Sequence, residues 1–425
     1  MSGREPDIAG VRPRLWVVSE LYYPEQGTAS HLISQTAEGL ADEFEVRVLC
    51  GQPDYFQSGN QAPAREAHNG TLINRVQGTR FVKGGLAGRL VNALSFTLAV
   101  FLFALRHFRR GDRILAATNP PPMPVVIGLA ARLKQCRATL LVHDVYPEVL
   151  SAAGMMRPDS LLYRWLAAMF RRSYAKFDGF VVLGQCMREV VRDKLAGRKR
   201  AIAVIPNWAD EDIAPVDRAT NAFRIEHGLA GKFIVQFSGN FGRTHDIELL
   251  LDAAKLLADR PDIVFLLVGA GAKSNLVGDG GSDNVVFLPR QPRTVLREML
   301  AASDLTVISF IDGMLGLSVP SRMYNVMAAG VPILASAHPD SELVREVTAS
   351  ESGWALKRRD ASELAELIRS LSTAEGLAEA QRRGRNARQA VVERYLAHHA
   401  IALYKQALRG ENTGTPAEDD AAALT

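Results

Sequence analysis

Three stretches of the chain join glycines, polar side chains and the start of a helix, the combination that can bind an anion through the backbone. The first is Leu21-Tyr22-Tyr23-Pro24-Glu25-Gln26-Gly27-Thr28, which lies between an apolar run and a helix beginning near Ala29. A loop of this kind aims free N–H groups and the positive end of a helix dipole at an anion, which makes Gly27 and Thr28 candidates; an ordinary turn reads the same. The second is Phe237-Ser238-Gly239-Asn240-Phe241-Gly242-Arg243, followed by His245, Asp246 and a helix from Ile247. Glycines at 239 and 242 let the backbone approach a ligand, and Arg243 offers a fork of donors to a diphosphate. Asp246 fits a helix N-cap equally well. A third strand ends in Gly269-Ala270-Gly271, which leaves space for a nucleotide face or for a tight turn. Ala272 and Lys273 follow it, so the G-x-G-x-x-G fingerprint is broken and a dinucleotide oxidoreductase loses support.

The densest segment is Gly316-Leu317-Ser318-Val319-Pro320-Ser321-Arg322-Met323-Tyr324-Asn325. Ser321 falls at an N-cap position and Arg322 in the first turn, where a cation opposes the helix dipole. An anion held by Arg322 and the first-turn amides relieves that conflict. Asn325 lies one turn further, where its amide could reach a ribose hydroxyl. A solvated Arg on a polar helix face fits the same spacing.

These segments sit at the ends of apolar, β-branched runs. Runs at 14–20, 44–50, 71–76, 113–118, 138–144, 179–184 and 201–207 alternate with helical stretches such as 29–41, 123–134 and 161–177. The pattern restarts with 232–240, 263–271, 284–289, 305–310 and 331–336, separated by helical stretches at 247–257, 293–302 and 321–329. Continuous apolar strands alternating with helices predict parallel sheets covered on both faces. The fold class is therefore α/β, with two doubly wound, Rossmann-like domains facing each other across a cleft. The expected divisions are 1–207, 208–390 and a crossover helix over 391–410 returning to the first domain. The polar tail 411–425 reads as disordered.

With 47% hydrophobic and 23% charged residues in 425, the chain has the balance of a folded globular protein. The formal charge of +4 is small and no nucleic-acid partner is expected, although Arg106–Arg110, Arg171–Arg172 and Arg198–Arg200 cluster locally. Three scattered cysteines, Cys50, Cys136 and Cys186, suit neither a disulfide framework nor a zinc site. The first residues carry charge and no apolar stretch, which predicts a cytoplasmic protein. The run 90–105 is nearly all apolar and flanked by Arg89 and Arg106. It is short for a spanning helix, and reads either as a helix buried against a sheet or as one dipping into the inner leaflet.

The ordered set LYYPEQGTAS, LLVHDVYPE, VIPNWAD, FSGNFGR, LLVGAG, NVVFLPRQP and VPSRMYNVMAAGVPILA resembles glycosyltransferase family 4. It is most similar to the colanic-acid-type (WcaI-like) members of bacterial exopolysaccharide and O-antigen assembly, over about residues 14–405. The resemblance implies the GT-B fold and a retaining transfer without metal or other cofactor. It also implies a nucleoside-diphosphate sugar bound against the second domain and, as acceptor, a polyprenyl-diphosphate-linked saccharide. Peripheral contact with the cytoplasmic face of the inner membrane goes with that acceptor.

By the same resemblance His143, at the end of a strand, contacts the transferred sugar, and Arg243 and Arg322 neutralise the diphosphate. The remaining donor-binding set is Gly27, Thr28, Gly239, Asn240, Gly242, Gly269, Gly271, Arg290, Ser321, Asn325, Asp340 and Glu342. Asp144 and Glu148 stand as acceptor-side groups or loop caps. Two departures stand out: Leu317 and Asn325 occupy the places of a paired Glu motif, and His245 that of a diphosphate-binding Lys. A nucleotide-sugar epimerase on the same scaffold and a non-catalytic scaffold subunit of a polysaccharide assembly complex are the alternatives.

Overall fold

The computed structural model describes residues 12–25, 27–53, 62–79, 81, 86–278 and 282–410. The tail 411–425 lies outside the described residues. The first sheet contains β1 (Arg14–Val18), β2 (Glu45–Cys50), β3 (Arg65–His68), β4 (Thr71–Arg75), β5 (Arg113–Ala117), β6 (Arg137–Val142), β7 (Gly179–Val182) and β8 (Ala201–Val204). Their spatial order is β3-β4-β2-β1-β5-β6-β7-β8. The second sheet contains β9 (Phe233–Asn240), β10 (Ile263–Ala270), β11 (Val285–Leu288), β12 (Leu305–Ser309), β13 (Ile333–Ser336) and β14 (Gly353–Ala355), in the order β11-β10-β9-β12-β13-β14. Every pairing except β3 with β4 is parallel. Central strands such as β1 and β12 are buried along nearly their whole length, as strands covered on both faces must be. The strand order reverses between β1 and β5 in one sheet and between β9 and β12 in the other. Doubly wound sheets open their ligand crevices at the carboxyl ends of such strands.

Two strands escaped the sequence. β3 (Arg-Glu-Ala-His) has no apolar alternation; its only signal is the turn Asn69-Gly70, with φ of 44° and 77°, which folds it back antiparallel onto β4. β14 has three residues.

The apolar run forms a helix over Leu86–His107, longer than the run itself. Phe96, Val100 and Ala104 enter the core, whereas Leu90, Leu94, Leu98 and Leu102 keep 50–58% of their surface exposed. Burial against a sheet thus holds for one side only. A run apolar on all sides carries no periodicity to say which side that is.

The C-terminal stretch is two helices, Ala374–Arg394 and Ala397–Arg409. The former packs on the second lobe. The latter returns to the helix Thr28–Gly39, where Gly39 leaves room for Ile401 and Lys405 pairs with Asp42 at 2.6 Å. The crossing begins at Ala397, after the break at Tyr395-Leu396, rather than at 391.

Candidate active site between the two sheets

β9 ends at Ser238-Gly239-Asn240 and β12 at Ser309, side by side at the point where the second sheet reverses its order. The helix Arg322–Ala328 begins beside them. Arg322 Nη1 donates to the Ser238 carbonyl at 2.6 Å, and the guanidinium lies 4.4 Å from the ring centre of Phe237. Its Nη2 stands 3.0 Å from His245 Nδ1 and 3.1 Å from Nε2. His245 Nδ1 lies 2.8 Å from the Ser309 carbonyl, which can only accept. Nδ1 therefore carries the proton and Nε2 keeps its lone pair, with the Arg322 Nη2 set against the ring between them. Burial and then the Arg322 charge push His245 down to about 3, so its ring is neutral. Burial pulls Arg322 down to about 10, which leaves it a cation at neutral pH. It pairs with no carboxylate among the described residues. An enclosed cation without a counter-ion is costly unless an anion arrives.

The glycines here serve the protein itself. A Cβ on Gly239, whose φ is 138°, would stand 2.8 Å from Arg322 Nη1. Gly269 makes room for the Gly239 carbonyl, and Gly271 for Asn240 and Phe241. A Cβ on Gly242 would lie 3.0 Å from Asn240 Nδ2. On the side where a Cβ would stand, each of these α-carbons is thus occupied by the protein. Gly27 differs, with nothing within 4 Å of where its Cβ would be, at the start of a helix that no side chain caps. Thr28 is the first residue of that helix. Arg243 is exposed and has no ion pair or hydrogen bond among the described residues. Arg290 is exposed just beyond β11. Ser321 has helical dihedrals and makes no side-chain cap, so the hydroxyl cap expected of it is absent. Lys273, which sequence reasoning passed over, donates to the His245 carbonyl and to Glu248, both at 2.7 Å.

From the first lobe, β6 runs into His143, whose half-buried ring is pulled down to about 4 by burial and is neutral. Its backbone N–H donates to Thr118 Oγ1 at 3.1 Å. The next residues meet the other lobe: Asp144 bridges to Ser318, and Val145 N–H donates to the Leu317 carbonyl at 3.0 Å. Burial raises the Asp144 carboxyl, opposed by hydrogen bonds with Ser318 and Asn119. Glu342 Oε2 accepts from the Gln185 N–H at 2.9 Å, across the cleft, where Gly184 has no side chain to obstruct it. Burial raises Glu342 as well.

A cavity of about 280 Å³ lies at this seam, lined among others by Cys186, Phe310, Gly316, Pro320, His338 and Glu342. It is at the lower edge of the ~300–1,000 Å³ of ligand pockets. Of the expected site residues Glu342 alone lines it; Arg322, Arg243 and His143 do not. Asp340 is exposed, near Arg345 at 3.8 Å, and Glu148 is paired with Lys194 Nζ at 2.6 Å.

Asn325 also differs from expectation. Its Oδ1 accepts from the Asp210 N–H at 2.8 Å and its Nδ2 donates to Asp210 Oδ2 at 2.9 Å. Both ends of the amide expected at a ribose are thus engaged by the protein. Asp210 further accepts from His31 Nε2 at 2.9 Å and from Arg293 Nη2 at 2.7 Å. Burial works against its ionisation, but His31 and Arg293 outweigh it and hold the carboxyl below its usual range. The linker residue Asp210 ties the first-lobe helix Thr28–Gly39 to two elements of the second lobe. Its only sequence trace was its place in the motif VIPNWAD.

Two doubly wound sheets with their carboxyl ends facing, and an unpaired cation at the reversal point of the second, define a GT-B glycosyltransferase. Residues 27–208 match the model of a glycosyl transferase 4-like domain, and residues 220–390 that of glycosyl transferases group 1. Pseudomonas aeruginosa WbjE, named a probable glycosyltransferase, is 33% identical over 287 residues, covering 66% of this chain and 71% of that protein. Escherichia coli WcaI, named for colanic acid biosynthesis, is 25% identical over 345 residues, 76% of this chain and 83% of its own. Among solved structures, sucrose-phosphate synthase from Thermosynechococcus elongatus superposes with a TM-score of 0.72 at 17% identity, covering 94% of this chain and 99% of the other. Anabaena HepE in complex with UDP and glucose gives 0.71 at 17% identity, covering 94% and 100%. The chain belongs to glycosyltransferase family 4, with WcaI-like relatives, and is an enzyme of that class.

Proposed function

We propose that the protein transfers a hexose from a nucleoside-diphosphate sugar to a polyprenyl-diphosphate-linked saccharide. The setting is exopolysaccharide, O-antigen or related surface-glycan assembly at the cytoplasmic face of the inner membrane. The observation that carries this reading is the Arg322 guanidinium, held against Ser238 and His245 and without a counter-ion among the described residues. Glycosyl transfer builds positive charge at the anomeric carbon and negative charge on the departing diphosphate. A donor fixed in advance where that charge appears needs no reorganisation during the reaction. On this reading Arg322 meets the diphosphate, with the exposed Arg243 as its partner and the uncapped helix start at Gly27 and Thr28 as a further anion-binding group. The two cations, on this reading, serve in place of a metal.

His143, neutral at the end of β6, is a hydrogen-bonding group for the transferred sugar rather than a charge. Glu342, on the cavity wall, is the acceptor for a sugar hydroxyl, which it reaches by exchanging its hydrogen bond from Gln185. Retention follows if the acceptor hydroxyl attacks from the face the diphosphate leaves, with a phosphate oxygen taking its proton. Arg322→Ala should lower turnover more than tenfold, since one lost oxyanion donor is worth ~2.7–4 kcal/mol. Steady-state rates on a lipid-linked acceptor measure this, and an unchanged turnover removes Arg322 from the site.

A further inference from the structure

Three neighbouring helices of the first lobe carry an outer face that the other described residues leave bare. Leu86–His107 packs along Met123–Lys134, which packs along Leu161–Tyr174. Leu90, Leu94, Leu98 and Leu102 form an exposed row on the first helix, one residue per turn. Leu129 and Leu133 repeat that spacing on the second, 41% and 60% exposed. Leu161, Leu162 and Trp165 stand out from the third, 81%, 57% and 61% exposed. A single exposed leucine is ordinary, but apolar rows on three adjacent helices make a patch that marks an interaction surface.

The charges say what it meets. The chain has 46 acidic residues, yet the three helices contain none. Arg106, Arg109, Arg110, Arg164, Arg171 and Arg172 are exposed around or within the layer, and none pairs with a carboxylate among the described residues. A second copy of this face would bring the same unneutralised cations together, which argues against self-association. Apolar rows beside unpaired guanidiniums match the boundary of an anionic bilayer, where acyl chains take the leucines and headgroups the arginines. The stretch Leu90–His107 is apolar and long enough to cross a membrane, but Val100 and Ala104 are fully buried in the domain core, so the helix is held as part of the layer.

We propose that this three-helix face docks the protein, lying in the membrane plane, on an anionic lipid surface. The inference deepens the membrane-side part of the proposed function, and it extends the contact from one helix to a layer. It is tested without donor or acceptor, so its failure and the failure of the transfer reading are separate results.

The test is flotation of the full chain with phosphatidylglycerol–phosphatidylcholine vesicles and with phosphatidylcholine vesicles alone, alongside tryptophan emission. Trp165 is the exposed one of four tryptophans, so its insertion should shift emission to the blue. The expected result is binding to the anionic vesicles that weakens with salt. Leu98→Glu with Trp165→Glu should reduce partitioning about tenfold or more, and so should a charge-only variant, Arg106→Gln with Arg109→Gln and Arg110→Gln. Binding that ignores both variants, equal binding to neutral vesicles, or no vesicle binding at all overturns the proposal. So does a dimer that the apolar variant splits while vesicle binding persists.

Discussion

The pair of Arg322 and His245 shows how one residue's chemistry is set by another far along the chain. Arg322 was legible as a cation in a helix's first turn, a place that calls for an anion. Its partner stands 77 residues earlier, and nothing in the spacing pointed to it. His245 read as a departure from a family lysine; in the structure it is a neutral ring packed against the guanidinium that leaves its charge uncancelled. Asn325 was misread for the same reason, since its partner Asp210 is 115 residues away. The two depressed imidazoles give a pH signature. In the unfolded chain a His takes up a proton near 6.5, whereas in the fold His245 does so only near 3 and His143 near 4. Between those values the unfolded state binds more protons, so stability falls as pH drops below about 6.5. Each ring contributes at most ~1.4 kcal/mol per pH unit. Asp144 and Glu342, with raised carboxyl values, act in the opposite sense at the acid end. Urea titrations across this range should give a steeper acid loss for the native chain than for His245→Gln; identical slopes contradict the assignment.

At the scale of elements, the strands that form the middle of each sheet could be read because they are unbroken β-branched runs. Edges were harder: the polar strand β3 depends on the turn at Asn69-Gly70, and β14 is too short to leave a pattern. The apolar helix could be found but not oriented, since only packing distinguishes Val100 inside from Leu98 outside. The least legible feature is the junction at Asp210, which joins three elements through donors from His31, Arg293 and Asn325. Removing that buried carboxylate takes the shared acceptor from three half-buried donors, and a hydrogen bond to a charged group is worth ~1.5–3 kcal/mol. Asp210→Ala should therefore cost at least that much in urea unfolding. Asn325→Asp should cost more than Asn325→Ala, because it sets two carboxylates against each other. Equal stabilities for those two variants would show that the amide is not held by Asp210.

For the molecule as a whole, the lobes meet through backbone contacts at Val145 and Leu317 and through Glu342 at the start of the helix Gln185–Lys194. The C-terminal helix returning to Thr28–Gly39 fastens the other side. The cleft therefore narrows to a seam between the two sheets, and on the proposed reading a donor brings the charge that the Arg322 guanidinium lacks. All of this reduces to whether Arg322 holds a diphosphate. Calorimetric titration of UDP, GDP, ADP and their hexose conjugates into the native protein and Arg322→Ala measures that directly. The account predicts that one nucleoside diphosphate binds the native chain and that the variant loses about tenfold or more in affinity, one lost charge-assisted contact. Equal affinity in the two proteins would contradict it.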